Sequence, residues 1–394
     1  MTVILFDDQF RHNLLPLTFT RPVSEIRVGI LTIAEKWGLY LKSAPYYLTE
    51  DYLQDKYPFR TGDINILINA AICPDEELVE SLDRLQEGEA LVSGDVLIAV
   101  KLNEWAAREF IPEQTVQYRR IEYTGPLLKI LYPEDIFRNN GQEIIMDFSL
   151  LTEGRSSASL SNTNTIIGDN IFVEEGASAD CATFNSTNGP IYLGVNSQVW
   201  EGSHIRGPFA LGQESIVKMG TKIYGMTTIG PNSKAGGEIN NSVIFGNSAK
   251  GHDGYLGNSV LGEWCNIGAD TNSSNMKNNY AEVRLWDYSQ ESFRRTGLQF
   301  CGLIMADHAK CGINTMFNTG TVVGVSANVF GAGFPRNFIP DFAWGGHHGF
   351  ETYGLEKMFE TASRVYERRK LVFDEREREI LKRVFEITVK YRNF

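Results

Sequence analysis

Residues 193–235 decide the fold and read LGVNSQVWEGSHIRGPFALGQESIVKMGTKIYGMTTIGPNSKA. An aliphatic residue recurs in this stretch at every sixth position: Leu193, Val199, Ile205, Leu211, Val217, Ile223, Ile229 and Ala235. A helix repeats about every 3.6 residues and a strand at every second residue, so neither produces this spacing. A coil of short strands does, because each step of six residues returns a side chain to an inner column. We therefore predict a parallel β-coil in the middle of the chain.

The same spacing continues on both sides of this stretch. It includes Ile167, Val173 and Ala179 upstream, loosens after Ala235, and returns at Leu261, Ile267, Met305, Cys311, Phe317, Val323 and Val329. We expect the coil to span residues 153–340. Residues 276–301 interrupt the spacing with charged and aromatic side chains. They predict a protruding loop, since a coil accepts insertions only at its outward turns.

The flanking segments have different patterns. Residues 1–152 alternate short apolar strands at 3–6, 65–68 and 97–100 with helical spacing at 30–41 and after Pro74, which is typical of an α/β domain with a mostly parallel sheet. Residues 351–394 are rich in Glu, Arg and Lys at helical spacing. They predict two C-terminal helices whose charges form a solvated surface.

Composition and charge argue against nucleic-acid, metal and membrane binding. The net charge of −12 disfavours nucleic-acid binding. The five cysteines form no C-x-x-C pair, so we expect no metal site, and a scattered odd set suits a reducing cytoplasm. Neither a basic leader nor a membrane-length apolar run is present, and we expect a cytoplasmic protein with no membrane partner.

Residues 222–275 carry a resemblance to a known family. The matching motifs are GEIN at 237–240, AKGHDGYLG at 249–257, NIGA at 266–269 and SN at 274–275. They resemble the hexapeptide-repeat acetyltransferase domain of the bacterial bifunctional N-acetylglucosamine-1-phosphate uridylyltransferase/glucosamine-1-phosphate acetyltransferase. The resemblance implies a left-handed parallel β-helix, a homotrimer and active sites between subunits.

His252 matches the family's catalytic base. Acyl transfer to an amine needs such a base, because an ammonium group cannot attack a thioester before it loses a proton. A histidine has a suitable pKa for that step. The alternative is a structural histidine within the coil, and the Gly-His-x-x-Tyr setting favours catalysis.

Five further positions match substrate-binding residues of the family. Lys222 stands where the family has a phosphate-binding arginine, Glu238 matches a sugar-contacting glutamate, and Tyr255 and Asn275 match residues that position the amine. The last two could instead serve coil packing. Asn240 replaces a phosphate-binding lysine. A cation is therefore missing there, and Lys250, Lys277 and Arg284 are candidates to replace it.

The cosubstrate implied by the resemblance is acetyl-CoA. Similar acyltransferases bind it along the last coils, largely through backbone groups, which here implicates Ala269, Gly312 and Ile313. A backbone N–H near Ala269 would hold the tetrahedral oxyanion. His308 is a second candidate base that ranks below His252.

The N-terminal segment resembles a sugar nucleotidyltransferase with an altered phosphate loop. Arg11 is retained and Arg21 replaces a lysine, which makes both candidates for nucleotide binding. The loop itself reads FDDQFR at 6–11, with two carboxylates in place of glycines. The carboxylate expected after the second apolar strand is absent, since that position reads Asn-Ala-Ala-Ile at 69–72. We expect weak or absent nucleotidyl transfer, and Mg²⁺ binding only if this domain is active.

The sequence thus favours acetyl-CoA-dependent N-acetylation of an amino-sugar phosphate, with glucosamine-1-phosphate as the expected substrate. One alternative is a sugar-1-phosphate nucleotidyltransferase that uses UTP and whose β-helix serves only for trimerisation. Another is a trimeric module that binds nucleotide sugars without turning them over.

Overall fold

The computed structural model describes residues 1–394. Its internal contacts define two compact units, of which the first comprises Met1–Ile26 and Leu31–Tyr132 and the second Arg27–Ile30 and Pro133–Phe394. The predicted first domain extends further, to residue 152. The intervening helix Pro133–Thr152 groups with the second unit because it packs against strands of the coil.

The first unit is an α/β fold. Its strands are β1 Thr2–Phe6, β2 Tyr46–Leu48, β3 Ile64–Asn69, β4 Ile72–Cys73, β5 Glu89–Ser93, β6 Val96–Asn103, β7 Arg119–Glu122 and β8 Leu128–Lys129. Six of them form one sheet in the order β2-β1-β3-β6-β5-β7, and β4 pairs with β8. β1 is parallel to β2 and β3, and β5 to β7, whereas β6 is antiparallel to both neighbours. The prediction of an α/β domain with a mostly parallel sheet is confirmed.

Three α-helices and three 3-10 turns complete the first unit. The helices are α1 Ile33–Tyr40, α2 Glu76–Asp83 and α3 Glu104–Arg108, and the turns are Gln9–Leu14, Val23–Glu25 and Asp51–Leu53. Thr32 and Glu35 form a reciprocal capping box at α1, and Asp75 accepts the backbone N–H of Leu78 at α2. These caps satisfy helix-end donors and explain why both helices begin close to their predicted positions.

The second unit is built on a left-handed parallel β-helix with three faces. The first face contains Ile171–Val173, Ile191–Leu193, Phe209–Leu211, Thr227–Ile229, Val243–Gly246, Val260–Glu263, Leu303–Met305, Thr321–Val323 and Phe338–Ile339. The second face contains Ser178–Ala179, Gln198–Val199, Ile216–Val217, Lys234–Ala235, Ala249–Lys250, Asn266–Ile267, Lys310–Cys311, Asn328–Val329, Ala343–Gly346 and an antiparallel Gly349–Thr352. The third face contains Thr165–Ile167, Thr183–Asn185, His204–Arg206, Lys222–Ile223, Glu238–Asn240, Tyr255–Gly257, Asn272–Ser273 and Met316–Phe317.

Strand pairing explains the six-residue spacing. Leu193, Leu211 and Ile229 pair in register on the first face. The members of the repeat that lie between them in the sequence fall on the other two faces. Successive members therefore enter the core from three directions. All eight side chains are at most 3% exposed. The spacing loosens after Ala235 because the next inward residue, Ile239, follows four positions later and shortens that turn.

The segment 276–301 is not the protruding loop that we expected. It contains an antiparallel hairpin formed by Arg284–Asp287 and Ser292–Arg295. The hairpin packs against the coil. Tyr288 at its turn is buried, and its hydroxyl donates a hydrogen bond to Asp341 Oδ2 at 2.9 Å. Arg294 also pairs with Glu134 at 2.8 Å. Spacing alone could not show this, since the contacts join residues distant in the chain.

Three more helices belong to the second unit: α4 Pro133–Thr152, α5 Leu355–Glu367 and α6 Glu375–Ile387, with a final 3-10 turn at Val389–Tyr391. The two predicted C-terminal helices are therefore confirmed. Tyr366 at the end of α5 stacks on Trp264 of the coil with ring centroids 3.9 Å apart. The guanidinium of Arg369 donates to the backbone carbonyls of Asn232 and Asn247. No helix in the chain combines the length and the apolar character needed to cross a membrane.

Candidate functional site

Three of the predicted substrate residues form one outward column on the third face, which we call the substrate ladder. Lys222 pairs in register with Glu238, and Glu238 pairs with Tyr255. Their neighbours Ile223 and Ile239 point into the core, and side chains alternate along a strand, so the ladder faces outward. The structure therefore brings a cation, a carboxylate and a phenol onto adjacent coils.

The two predicted asparagines surround the phenol of Tyr255. Asn275 Nδ2 donates to Tyr255 Oη at 2.9 Å and to Asn258 Oδ1 at 2.8 Å. Burial raises the pKa of Tyr255, and the amides of Asn240 and Asn275 partly oppose that shift. Asn275 thus holds the phenol in a defined orientation at one end of the substrate ladder.

None of the three candidate cations replaces the missing lysine at position 240 by a contact with this cluster. Lys250 points into the coil and is 1% exposed. Lys277 donates to the carbonyl of Glu282 at 2.7 Å. Arg284 lies in the hairpin and lines a separate cavity. Lys222 is therefore the cation of the substrate ladder.

His252 is exposed and lies in the turn that joins the second face to the third. Gly254 in the same turn has φ +111°, a conformation that other residues rarely adopt, and a Cβ there would overlap the carbonyl oxygen of Thr271. The turn is thus stacked closely against the following coil. This packing fixes the backbone from which the imidazole projects.

Lys250 supports the His252 turn from inside the coil. The side chain of Lys250 points into the core, in a column of otherwise apolar residues, between Ala235 and Ile267 on the neighbouring coils. Its Nζ donates to the carbonyl of His252 and, at 3.3 Å, to that of Asp253. Burial lowers the pKa of Lys250 to about 8, which the nearby Asp253 carboxylate partly offsets. The ammonium group therefore donates hydrogen bonds to the carbonyls of the turn, although its burial disfavours the charged form.

The depressed pKa of Lys250 predicts a pH-dependent stability. The unfolded chain keeps the ordinary pKa of 10.5, so it binds the proton more tightly than the folded chain. The free energy of unfolding should therefore rise between pH 8 and pH 10, by about 2 kcal/mol from this group. Lys250→Met should remove that gain, as measured by urea unfolding of both proteins at several pH values.

The comparison isolates Lys250 because Lys310, whose pKa burial also lowers to about 8, is present in both proteins. Parallel stability curves for wild type and variant across this pH range would contradict the prediction.

A cavity of about 740 Å³ lies against the second face and contains His252 in its lining; we call it the His252 cavity. Ala269 and Ile313 also line it, and Gly312 touches Gly268 of its wall. The predicted base and the predicted cosubstrate residues therefore lie together. None of the five predicted substrate residues lines the cavity, since they lie on the third face beyond the His252 turn.

The sequence patterns do not predict the positive charge of this cavity. Its lining includes five cations: Lys218, Lys234, Lys310, Arg368 and Arg369. The two arginines follow α5, so the C-terminal charges are not all a solvated surface. One feature of the sequence could have indicated it: each of the three lysines stands next to an inward residue of the six-residue repeat and therefore points outward on the coil.

His308 has a structural environment. It is 5% exposed, and its ring stacks parallel to those of Trp264 and Tyr366, with centroids 6.2 Å away in each case. An imidazole enclosed in an aromatic cluster is not presented to a substrate. The ranking of His308 below His252 agrees with this burial.

In the first unit, the altered phosphate loop is held by its own ion pairs. Arg11 Nε lies 3.0 Å from Asp7 Oδ2, and its guanidinium donates to the carbonyl of Thr18. Arg11 and Arg21 are each 4% exposed. Both predicted nucleotide-binding arginines therefore lie inside the loop structure, although Arg11 reaches the edge of a cavity of about 380 Å³.

The same loop does not fit a magnesium ion. Lys129 Nζ lies 2.6 Å from Asp8 Oδ2, and Asn69 donates to the same oxygen at 2.9 Å. Arg11 neutralises the other carboxylate, Asp7, in the same way. No group of three or more His, Cys, Asp or Glu side chains in the chain is arranged to hold a metal ion. The carboxylates already have cationic partners, whereas Mg²⁺ needs available oxygen ligands.

Comparison with known proteins supports the resemblance. Residues 3–156 match the family model described as sugar nucleotidyl transferase. The bifunctional protein GlmU of Methanocaldococcus jannaschii is 33% identical over 87 residues, which cover 22% of this chain and 21% of that protein. GlmU of Methanococcus maripaludis is 33% identical over 97 residues, which cover 24% and 22%. The chain is thus a divergent relative of these proteins, and each match spans about a fifth of the relative's length.

Two solved structures are also similar. Arabidopsis UDP-N-acetylglucosamine acyltransferase aligns with 59% of this chain and 94% of its own, at 14% identity and a TM-score of 0.28. UDP-N-acetylglucosamine acyltransferase from Campylobacter jejuni aligns with 59% and 85%, at 15% identity and a TM-score of 0.21. These values bear on neither substrate nor reaction.

Proposed function

We propose that the protein transfers an acetyl group from acetyl-CoA to the amine of an amino-sugar phosphate, with glucosamine-1-phosphate as the substrate. The observation that carries the proposal is the His252 cavity, in which an exposed imidazole lies together with Ala269 and Ile313. The likeness to bifunctional GlmU proteins supports the same class of chemistry.

In the proposed reaction, the imidazole of His252 takes a proton from the substrate's ammonium group, which leaves a neutral amine. The amine nitrogen then forms a bond to the thioester carbonyl carbon, and a backbone N–H near Ala269 holds the resulting oxyanion. The carbon–sulfur bond breaks as the intermediate collapses. The nitrogen gives its second proton to the leaving thiolate, and the imidazolium releases its proton to solvent, so that the products are the amide and free coenzyme A.

The substrate ladder would bind the sugar phosphate. Lys222 supplies a positive charge for the phosphate, and Glu238 accepts hydrogen bonds from sugar hydroxyls. Tyr255, oriented by Asn275, positions the amine. These residues and the His252 cavity lie on different faces of one chain. We therefore propose a homotrimer in which neighbouring subunits complete each site.

The test is a thiol-release assay with acetyl-CoA and a panel of amino-sugar phosphates. We expect thiol release with glucosamine-1-phosphate and a slower rate of thiol release with its epimers. Absence of thiol release with every amino sugar would exclude the proposal.

A nucleotidyltransferase is the second candidate, since residues 3–156 match that family model. We expect negligible pyrophosphate release from UTP and N-acetylglucosamine-1-phosphate in the presence of Mg²⁺. The reason is that Asp7 and Asp8 are paired with Arg11 and Lys129. A coupled pyrophosphate assay checks this prediction.

Metal-dependent pyrophosphate release that survives His252→Ala would favour the second candidate over acetyl transfer. Tight binding of a nucleotide sugar without turnover in either assay would instead indicate a non-catalytic binding module.

A further inference from the structure

The His252 cavity concentrates positive charge from two parts of the second unit. Lys218, Lys234 and Lys310 come from the second face, and Arg368 and Arg369 come from the end of α5. The chain as a whole is acidic, with 49 Asp and Glu against 37 Lys and Arg. No Asp or Glu lines the cavity. This charge is therefore a local property that the composition does not predict.

The five cations lack anionic partners. None of them forms a salt bridge, although ion pairs are common elsewhere on α5 and α6. Burial lowers the pKa of Lys234, and the positive charges of Lys218, Arg368 and Arg369 lower it further. Burial and Arg368 likewise lower the pKa of Arg369. Holding like charges together is unfavourable, and a bound anion would relieve the repulsion.

Two of the cations are already held in place. Arg369 donates to the carbonyls of Asn232 and Asn247, and its guanidinium lies 5.6 Å from the ring centroid of Trp264. Lys218 Nζ lies 3.7 Å from the ring centroid of Trp200. Side chains fixed before binding lose less entropy when they meet a ligand.

We propose that the His252 cavity binds a multiply phosphorylated ligand, whose phosphates contact Lys234 and Arg368 while α5 forms the outer wall. The cavity volume of about 740 Å³ suits a ligand of nucleotide size. Coenzyme A and free nucleoside polyphosphates share this phosphate chemistry. Only the choice of coenzyme A rests on the proposed acetyl transfer, since the anion site stands on the charge and shape of the cavity.

The test is isothermal titration calorimetry of the full chain with three probes: tripolyphosphate, coenzyme A and ATP. We expect all three to bind, and the affinity to fall as the salt concentration rises. The double variant Lys234→Gln/Arg368→Gln should weaken each probe at least about tenfold. Lys218→Gln provides a second, single-site variant that should weaken binding in the same direction.

Arg364→Gln is the matched control, because Arg364 lies on the same helix, is 76% exposed and pairs with Glu360 outside the cavity. It should leave the affinities unchanged. Absence of binding by all three probes, or binding that the double variant and Lys218→Gln leave intact, would overturn the proposal. Tighter binding of coenzyme A than of ATP would identify the acyl carrier as the ligand, and the reverse order would identify a nucleotide.

The two proposals fail separately. Tripolyphosphate binding that depends on Lys234 and Arg368, without thiol release from acetyl-CoA, would support the anion site and exclude acetyl transfer. Thiol release at an unchanged rate and KM for acetyl-CoA in the double variant would support acetyl transfer and overturn the anion site.

Discussion

His252→Ala is expected to lower the rate of acetyl transfer by about 10²- to 10⁴-fold, the range that a positioned general base contributes. The imidazole is the only histidine side chain in the lining of the His252 cavity. Without it, the amine must lose its proton to water before it attacks the thioester. Initial rates of thiol release at saturating acetyl-CoA measure the effect.

The design separates loss of the base from loss of the fold. His252 is exposed, so its removal should leave the melting temperature close to that of the wild type. His348→Gln is the matched control, because His348 is also exposed and lies in the turn between the terminal strands Ala343–Gly346 and Gly349–Thr352. Full activity in the His252 variant would show that this residue is not the base.

Gly230→Ala is expected to destabilise the β-helix by about 3 kcal/mol or more. Gly230 follows the inward Ile229, and a Cβ at this position would overlap the carbonyl oxygen of Phe245 on the next coil. That atom belongs to the backbone, so no side-chain rotation relieves the clash. The two coils would have to separate along the strand pairing of Thr228 with Val243 and Ile229 with Ile244. Thermal unfolding followed by circular dichroism measures the loss.

Gly251→Ala is the matched control within the same coil stack. The nearest atom to a Cβ at Gly251 is Lys234 Cβ at 3.7 Å, an ordinary contact, and its φ is not positive. This variant should melt within a few degrees of the wild type. Equal melting temperatures for the two variants would show that the close approach of coils at Gly230 does not limit stability.

Much of the fold follows from local pattern. The repeat from Leu193 to Ala235 specifies a coil, because only stacked strands return a buried side chain at every sixth residue. The glycine at 230 belongs to the same pattern, since the adjacent coil leaves no room for a Cβ. The repeat does not predict the hairpin at 284–295, because Tyr288 and Arg294 hold it through partners that lie far away in the chain.

The candidate site divides in the same way. The family resemblance identified Lys222, Glu238 and Tyr255 as candidate substrate residues, and the strand register of the coil places them in one column. The hydrogen bonds of Asn275 and the inward position of Lys250 depend on side-chain packing between coils. Periodicity reports which way a residue points, and it carries no information about which partner meets it.

The sequence by itself determined the coil, the α/β segment before it and the helices after it. Each of these depends on residues close together in the chain, whose spacing decides which side chains can be buried. Only the tertiary structure decided that Arg368 and Arg369 meet Lys234 and His252 in one cavity. More than a hundred residues separate the two arginines from Lys234 and His252 in the sequence. The arginines come close to these residues only because α5 packs on the coil through Tyr366 and Trp264.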